Sequence, residues 1–326
     1  MRNLRRILVA IKNPAARQQP ALRKAAQLAA ASGAKLEIFH AISDPVYMDA
    51  FALEGLTLQQ TQRQWSDRVV ARLEKLAAPL RQDELSITVR CEWDFPAYEA
   101  VIRRASRIDA DLIVAERHAT RHLLPWLLRF NDWELLRRSP VPVLLIKRPQ
   151  PWRKPVVMAA IDPSHSFAKP AKLDSEILAA ANLLALTLNG KLHAAHAWQS
   201  AATLAPMMLP LAAMPTAGVE KRAQREARAA FGKSLQEAGL SDVRRHFVAG
   251  VASDVIPALA RKHHAGIVVM GAVSRSGLKR LVVGNIAEQV LDSLSCDVLV
   301  LKPVDFKSKV ASRKRGVQLV PTPQYS

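Results

Sequence analysis

Short apolar runs recur along the chain and alternate with longer segments whose apolar residues follow a helical period. Arg6–Ile11 (RILVAI) is the first run. Consecutive rather than alternating apolar positions mark a strand covered on both faces. The pattern then predicts a helix from about Pro20 to Ser32, with Gly33 as its left-handed terminator, and a strand at Lys35–Ala41. An irregular stretch from Ser43 leads to a helix around Trp65–Leu80, a strand at Ser86–Trp93 and a helix at Ala97–Ile108. A strand at Leu112–Ala115, a helix from near Asn131 and a strand at Val141–Ile146 complete the series. Strands and helices alternating in this way imply a parallel sheet with helices on both faces.

The pattern is then repeated. Val156–Ile161 matches the first strand, and the helix ending at Gly190 matches the one ending at Gly33. Lys191–Trp198, Val243–Ala249, Val255–His263 and Cys296–Lys302 match the second strand, third strand, third helix and fifth strand. The expected fold is therefore α/β, two tandem open five-stranded parallel-sheet domains with helices on both faces and strand order 3-2-1-4-5. Residues 1–148 form the first domain, 149–155 a Pro-rich linker, 156–303 the second domain and 304–326 a basic C-terminal tail. The fifth strand of each sheet is an edge that needs covering. Pseudo-twofold pairing of the two domains through Val143–Lys147 and Val298–Lys302 would cover both.

The 326 residues carry a net charge of +19 but only two cysteines. Two cysteines cannot make a disulfide framework and fit a reducing compartment. No apolar segment approaches the roughly 18–20 residues of a membrane helix, and the apolar run after the basic N-terminus is too short for a signal sequence. The expected location is cytoplasmic, with no membrane partner. The basic excess is spread over both halves, apart from the cluster Lys307, Lys309, Arg313, Lys314 and Arg315. No recognition module accompanies that cluster, so the expected contact with nucleic acid is non-specific and runs through the tail.

Candidate chemistry concentrates after the strand ending at Met270. Gly271 closes that strand. A basic loop with Ser274, Arg275, Gly277, Lys279 and Arg280 follows, and Gly284 and Asn285 open a helix. Strand, glycine-bearing basic loop and helix N-terminus together suit an anionic group. With strand order 3-2-1-4-5, ligands gather where the winding reverses, at the carboxyl ends of strands one and four. Asp162 and Gly271 should therefore face each other across one crevice. Asn285 with Glu288 also reads as a capping box, which needs no ligand. The first copy keeps that spacing as Asn131 and Glu134 but lacks the glycines: Glu116 or Arg117 replaces Gly271, Phe130 replaces Gly284, and Lys12 stands near the place of Asp162.

The spacing Gly271, two residues, Ser274, nine residues, Gly284-Asn285 resembles the nucleotide loop of the universal stress proteins, where glycine, two residues, glycine, nine residues, glycine and serine or threonine is the pattern. Val156–Ile161 with Asp162 resembles that family's first strand and its adenine-side aspartate. The resemblance covers residues 5–303, and the tandem arrangement is like the two-domain (E-type) members. It implies a fold like that of the adenine-nucleotide α-hydrolases and a regulatory binding role in the stress response. The ligand it implies is ATP or a related nucleotide, with no metal beyond nucleotide-bound Mg; the glycines missing from the first copy confine the expected site to the second domain. Carried over, Asp162 and Ala197 would border the base, Gly271 and Gly284 would approach ribose and phosphates, and Ser274 and Asn285 would lie near the phosphates, with Arg275 adding charge. Ser274 departs from the pattern's glycine and Asn285 from its serine or threonine.

Alternatives are a binder of an acyl-bearing nucleotide or lipid-like ligand, a slow ATP hydrolase, and an RNA-associated factor. The first takes its motive from Leu204–Gly218, apolar and broken by prolines; Pro45–Leu58 is its counterpart in the first copy. No nucleophile–base pair or carboxylate dyad emerges, so no catalytic residue is assigned. Gly232-Lys233-Ser234 ends like a Walker A motif but lies in a charged helical run. His193 and His196 fall on opposite faces of a strand, His118 and His122 lack further ligands, and His263 and His264 finish a helix. No metal site is expected.

Overall fold

The computed structural model describes residues 3–47, 57–81, 85–117, 130–163, 172–199, 217–272 and 285–320. The chain forms two compact units. One is Leu4–Pro151 joined by the tail from Lys307, and the other is Trp152–Phe306 joined by the extreme N-terminus.

In the first domain the strands are β1 (Arg6–Ala10), β2 (Lys35–Ile42), a short β3 (Val46–Tyr47), β4 (Ile87–Trp93), β5 (Leu112–Glu116) and β6 (Val143–Ile146). The helices are α1 (Pro20–Ser32), α2 (Leu58–Arg81), α3 (Ala97–Arg107) and α4 (Phe130–Arg138). β4 pairs with β2, β2 with β1, β1 with β5 and β5 with β6, all parallel. Central strands are apolar at consecutive positions because helices cover both faces: Ile7, Leu8, Val9, Ile113 and Val114 are fully buried. Outer β4 alternates between half-buried and exposed positions at Ile87–Arg90.

The second domain repeats the plan. Its strands are β7 (Val156–Ala160), β8 (Lys191–Trp198), β9 (Arg244–Ala249), β10 (Ala265–Gly271) and β11 (Asp297–Leu301). Its helices are α5 (Lys172–Thr187), α6 (Ala217–Glu237), α7 (Ala252–Lys262) and α8 (Asn285–Ser293). The parallel pairs are β9 with β8, β8 with β7, β7 with β10 and β10 with β11. Val157, Met158, Ala159, Ile267, Val268 and Val269 are fully buried, as are Ile177, Ala181 and Leu184 of α5. No helix among the described residues is long and apolar enough to cross a membrane.

The two helix-ending glycines differ in role. Gly33 adopts φ 69° and a Cβ there would meet nothing within 4 Å. At the equivalent turn of the second domain, Asn189 holds the left-handed position at φ 49°. Gly190 is required for a separate reason: its Cβ would lie 2.2 Å from the Pro155 carbonyl oxygen, which accepts the Lys191 N–H at 2.9 Å. Residues 152–155 thus pack into the second domain, and the buried Trp152 indole donates to Asp297 Oδ2 at 2.9 Å.

Residues of the tail return to the first domain. Buried Arg103 on α3 donates to both carboxylate oxygens of Asp94 at 2.7 and 2.8 Å and to Glu99 Oε2 at 3.0 Å. One arginine cannot neutralise two buried carboxylates, and the tail contributes the second cation. The Arg315 N–H donates to Asp94 Oδ1 at 2.9 Å and its guanidinium to Glu99 Oε1 at 3.0 Å. Arg103 also donates to the Ala311 carbonyl at 3.2 Å, and Lys314 meets Glu92 at 2.5 Å. Beyond them β12 (Leu319–Val320) pairs in parallel with β3. The tail therefore straps the first domain beside the carboxyl ends of β2 and β4.

Two expectations follow from these contacts. Gly190→Ala forces backbone apart and should cost about 1–3 kcal/mol, whereas Gly33→Ala carries only the left-handed penalty, about 1 kcal/mol; equal losses in denaturant titrations would contradict the distinction. Arg103→Met removes the bidentate cation of buried Asp94 and one of the two cations of buried Glu99, and should cost about 3–5 kcal/mol. Arg315→Ala, whose side chain is half exposed, should cost no more than about 1 kcal/mol. An Arg103→Met chain as stable as the parent would remove the network from the account.

Candidate functional site

The carboxyl ends of β8, β7 and β10 lie side by side, because Ala160 of β7 is registered against Ala195 of β8 and Met270 of β10. This brings three of the sequence-predicted residues to one edge of the second domain. Asp162 leaves β7, Ala197 lies near the end of β8 and Gly271 ends β10. The Asp162 N–H donates to Oδ1 of buried Asp174, in the first turn of α5, at 3.2 Å. His196 of β8 is buried, with Nδ1 3.1 Å from the Ile161 carbonyl oxygen and 4.0 Å from Asp162 Oδ1. The carbonyl contact requires the proton on Nδ1.

Gly271 has a packing role. A Cβ there would come within 2.7 Å of Leu173 Cδ2 and 3.3 Å of Ile177 Cδ1, so the glycine lets the start of α5 close onto β10. Beyond it, the Ala272 N–H donates to the Leu301 carbonyl, and the Lys302 ammonium donates to the Ala272 carbonyl at 3.0 Å. Ser274, Arg275 and Gly284 lie outside the described residues. Asn285 opens α8 and Glu288 sits in its first turn, so the partial positive charge of that helix start stands at the end of the predicted loop.

The matching hydrogen bonds of the first domain identify its equivalent residues. Ile11 N–H donates to the Phe39 carbonyl as Ile161 N–H donates to that of Ala195, so Lys12 takes the place of Asp162. Arg117 N–H donates to the Ile146 carbonyl as Ala272 N–H does to that of Leu301; Glu116, rather than Arg117, therefore occupies the Gly271 position. His40 matches His196, its Nδ1 2.7 Å from the Ile11 carbonyl oxygen. Lys12 Nζ lies 3.8 Å from Oδ1 of Asp132, in the first turn of α4. Burial lowers the Lys12 pKa against the pull of Asp132 and Glu116, and burial raises that of Glu116 against Lys12 and Arg23. Here a cation and two acids of the chain itself occupy the strand ends and the helix start.

Other sequence candidates separate on inspection. Gly232-Lys233-Ser234 is internal to α6, and Lys233 pairs with Glu237 at 3.8 Å, so the Walker-like ending holds no phosphate loop. His118 and His122 lie outside the described residues, as do most of Leu204–Gly218 and Pro45–Leu58. His196 packs against Phe231 and Phe247, on the face opposite His193. The grouping that sequence reading did not assemble is His193, His246 and His263, which meet from three elements. The signal was the parallel register of β8 and β9, which puts His246 two residues beyond the partner of His193 and therefore on the same face.

The profile of the universal stress protein family matches residues 3–147 and 169–302, one copy in each domain. Universal stress protein E of Escherichia coli K12 is 30% identical over 314 residues, covering 93% of this chain and 96% of that protein. Universal stress protein E of Photorhabdus laumondii is 28% identical, covering 96% of this chain and 100% of the relative. Among solved structures, a functionally unknown protein of Pseudomonas aeruginosa PAO1 superposes with a TM-score of 0.71 at 27% identity, over 93% of this chain and 94% of that one. A universal stress protein from Archaeoglobus fulgidus shares the fold, with a TM-score of 0.60 at 16% identity over 91% and 97% of the two chains. With the family profile matched once in each α/β unit, and with relatives aligned along nearly their whole length, this chain belongs to the universal stress protein family.

Proposed function

We propose that the chain is a stress-response binding protein whose second domain holds an anionic ligand of nucleotide type, and whose first domain does not. The observation that carries this reading is the contrast at equivalent positions. Asp162 and Gly271 border the strand ends in the second domain, whereas Lys12 and Glu116 stand there in the first and Asp132 occupies the helix start. A carboxylate at a helix start takes the place that an anionic ligand would use.

In the second domain Asp162 and Ala197 would border the base, and Gly271 and Gly284 would approach ribose and phosphate. Ser274, Arg275 and Asn285 would provide donors and charge to the phosphates. ATP or a relative, with Mg as its own counter-ion, is the ligand class. The role is binding rather than turnover. We also propose that the two domains pair through their fifth strands, on the sequence argument that each otherwise ends in a bare edge. Only two cysteines occur along the 326 residues, which supports a reducing, cytoplasmic setting. For the tail, the engagement of Lys314 and Arg315 with acids of the first domain favours a strap over a nucleic-acid contact.

The direct test is mass spectrometry of the denatured, freshly purified protein, followed by calorimetry with ATP. A co-purified nucleotide, or ATP binding reduced at least ~10-fold by Gly284→Phe in a chain with unchanged circular dichroism, is expected; tenfold corresponds to about 1.4 kcal/mol. Recovery of no ligand together with no heat from ATP would defeat the proposal. Undiminished binding by Gly284→Phe would move the site elsewhere.

A further inference from the structure

The second domain holds a second cluster with its own chemistry, at the opposite end of the sheet from the proposed crevice. His193 is the third residue of β8, His246 the third residue of β9, and His263 caps the C-terminus of α7. His193 and His246 are 6% and 9% exposed, and His263 is part-exposed. Their rings form a compact group. Centroids are 4.3 Å apart for His246 and His263, 5.0 Å for His193 and His246, and 5.6 Å for His193 and His263.

Nε2 of His246 is 3.1 Å from Nδ1 of His193. One nitrogen from each of the three rings can be chosen so that all lie within 4.8 Å of one another. A tetrahedral ion bound to imidazole at about 2.0–2.1 Å needs nitrogens roughly 3.3–3.4 Å apart. The His193–His246 contact is already close to one edge of such a tetrahedron, and His263 completes a face after a small side-chain adjustment at a helix end. Without an ion, the first two rings share a single proton, one donating and one accepting.

We infer that His193, His246 and His263 form a binding site for a first-row divalent transition metal such as Zn2+, with further coordination positions open to water. Three imidazoles are a favourable donor set for Zn2+, Cu2+ or Ni2+ and a poor one for Mg2+ or Ca2+. Of the three rings, His193 lines an open groove of about 510 Å³, together with Lys191, Asp242 and Arg244 among others, and the ring of His263 is itself part-exposed. Asp242 is the acidic side chain on that groove. The cations Lys191, Arg244 and Lys262, with neighbouring His264, oppose a dication. They set the affinity well below that of a closed structural zinc site.

The experiment uses the full chain after treatment with chelator and titrates Zn2+ by calorimetry, with Co2+ absorption as a report on geometry. One site that is lost or weakened at least ~10-fold in both His246→Gln and His263→Gln, and retained in His264→Gln and His196→Gln, is the expected result. Thermal unfolding should rise with Zn2+ in the parent and not in His263→Gln, whose partly exposed ring can be changed without opening the core. Absence of a Zn2+ heat in the parent would overturn the inference. So would binding that persists in His263→Gln, or that disappears equally in His264→Gln. ATP plays no part in these measurements, so failure here leaves the nucleotide proposal standing, and the converse also holds.

Discussion

A parallel sheet must be covered on both faces, and this requirement sets most of what the two domains share. Strands such as Ile7–Val9 and Val157–Ala159 have no solvent side on which polar residues could alternate. The chain between them must therefore cross back as a helix and bury its apolar stripe on the sheet. Loops at the carboxyl ends are free of this demand. The two copies consequently keep one frame, down to His40 and His196 in the same hydrogen bond with the end of the first strand, while their loop ends diverge.

The divergence is electrostatic. In the first domain Lys12, Glu116 and Asp132 satisfy one another's charge at the strand ends and the helix start. Nearby, the tail supplies Arg315 to a network in which Arg103 alone faces two buried acids. The positive tail is thus bound to the acidic end of its own domain, and its cations complete a charge balance that the domain leaves open. In the second domain Asp162 stands at the Lys12 position and Gly271 at the Glu116 position. The proposed anion site lies at that edge, where the first domain carries charges of its own.

Much of this was legible in the sequence, because unbroken apolar runs and helical periods report the covering of the sheet directly. Most strands were placed within a residue or two, and the repeat followed from them. What was illegible depended on contacts between distant segments. Gly33 and Gly190 look alike as letters, yet one is required by a left-handed turn and the other by the approach of Pro155. Gly271 reads as a ligand glycine but also admits Leu173 of α5. The basic tail reads as a solvated arm, since nothing local reveals that Asp94 and Glu99 are short of a cation. The three histidines are separated by long stretches of chain and meet only through the β8–β9 register and the end of α7.

In the function proposed above, one frame carries a ligand crevice in one copy and a self-neutralised counterpart in the other. Amide chemical shifts recorded during titration of the intact chain with ATP test it most directly. Perturbations are expected at Asp162, Ala197 and Gly271–Asn285, with Lys12, Glu116 and Ala41, the equivalent of Ala197 by the matching Ile11–Phe39 and Ile161–Ala195 hydrogen bonds, unmoved. Perturbations centred on Lys12 and Glu116, or shared equally by the two sets, would contradict it.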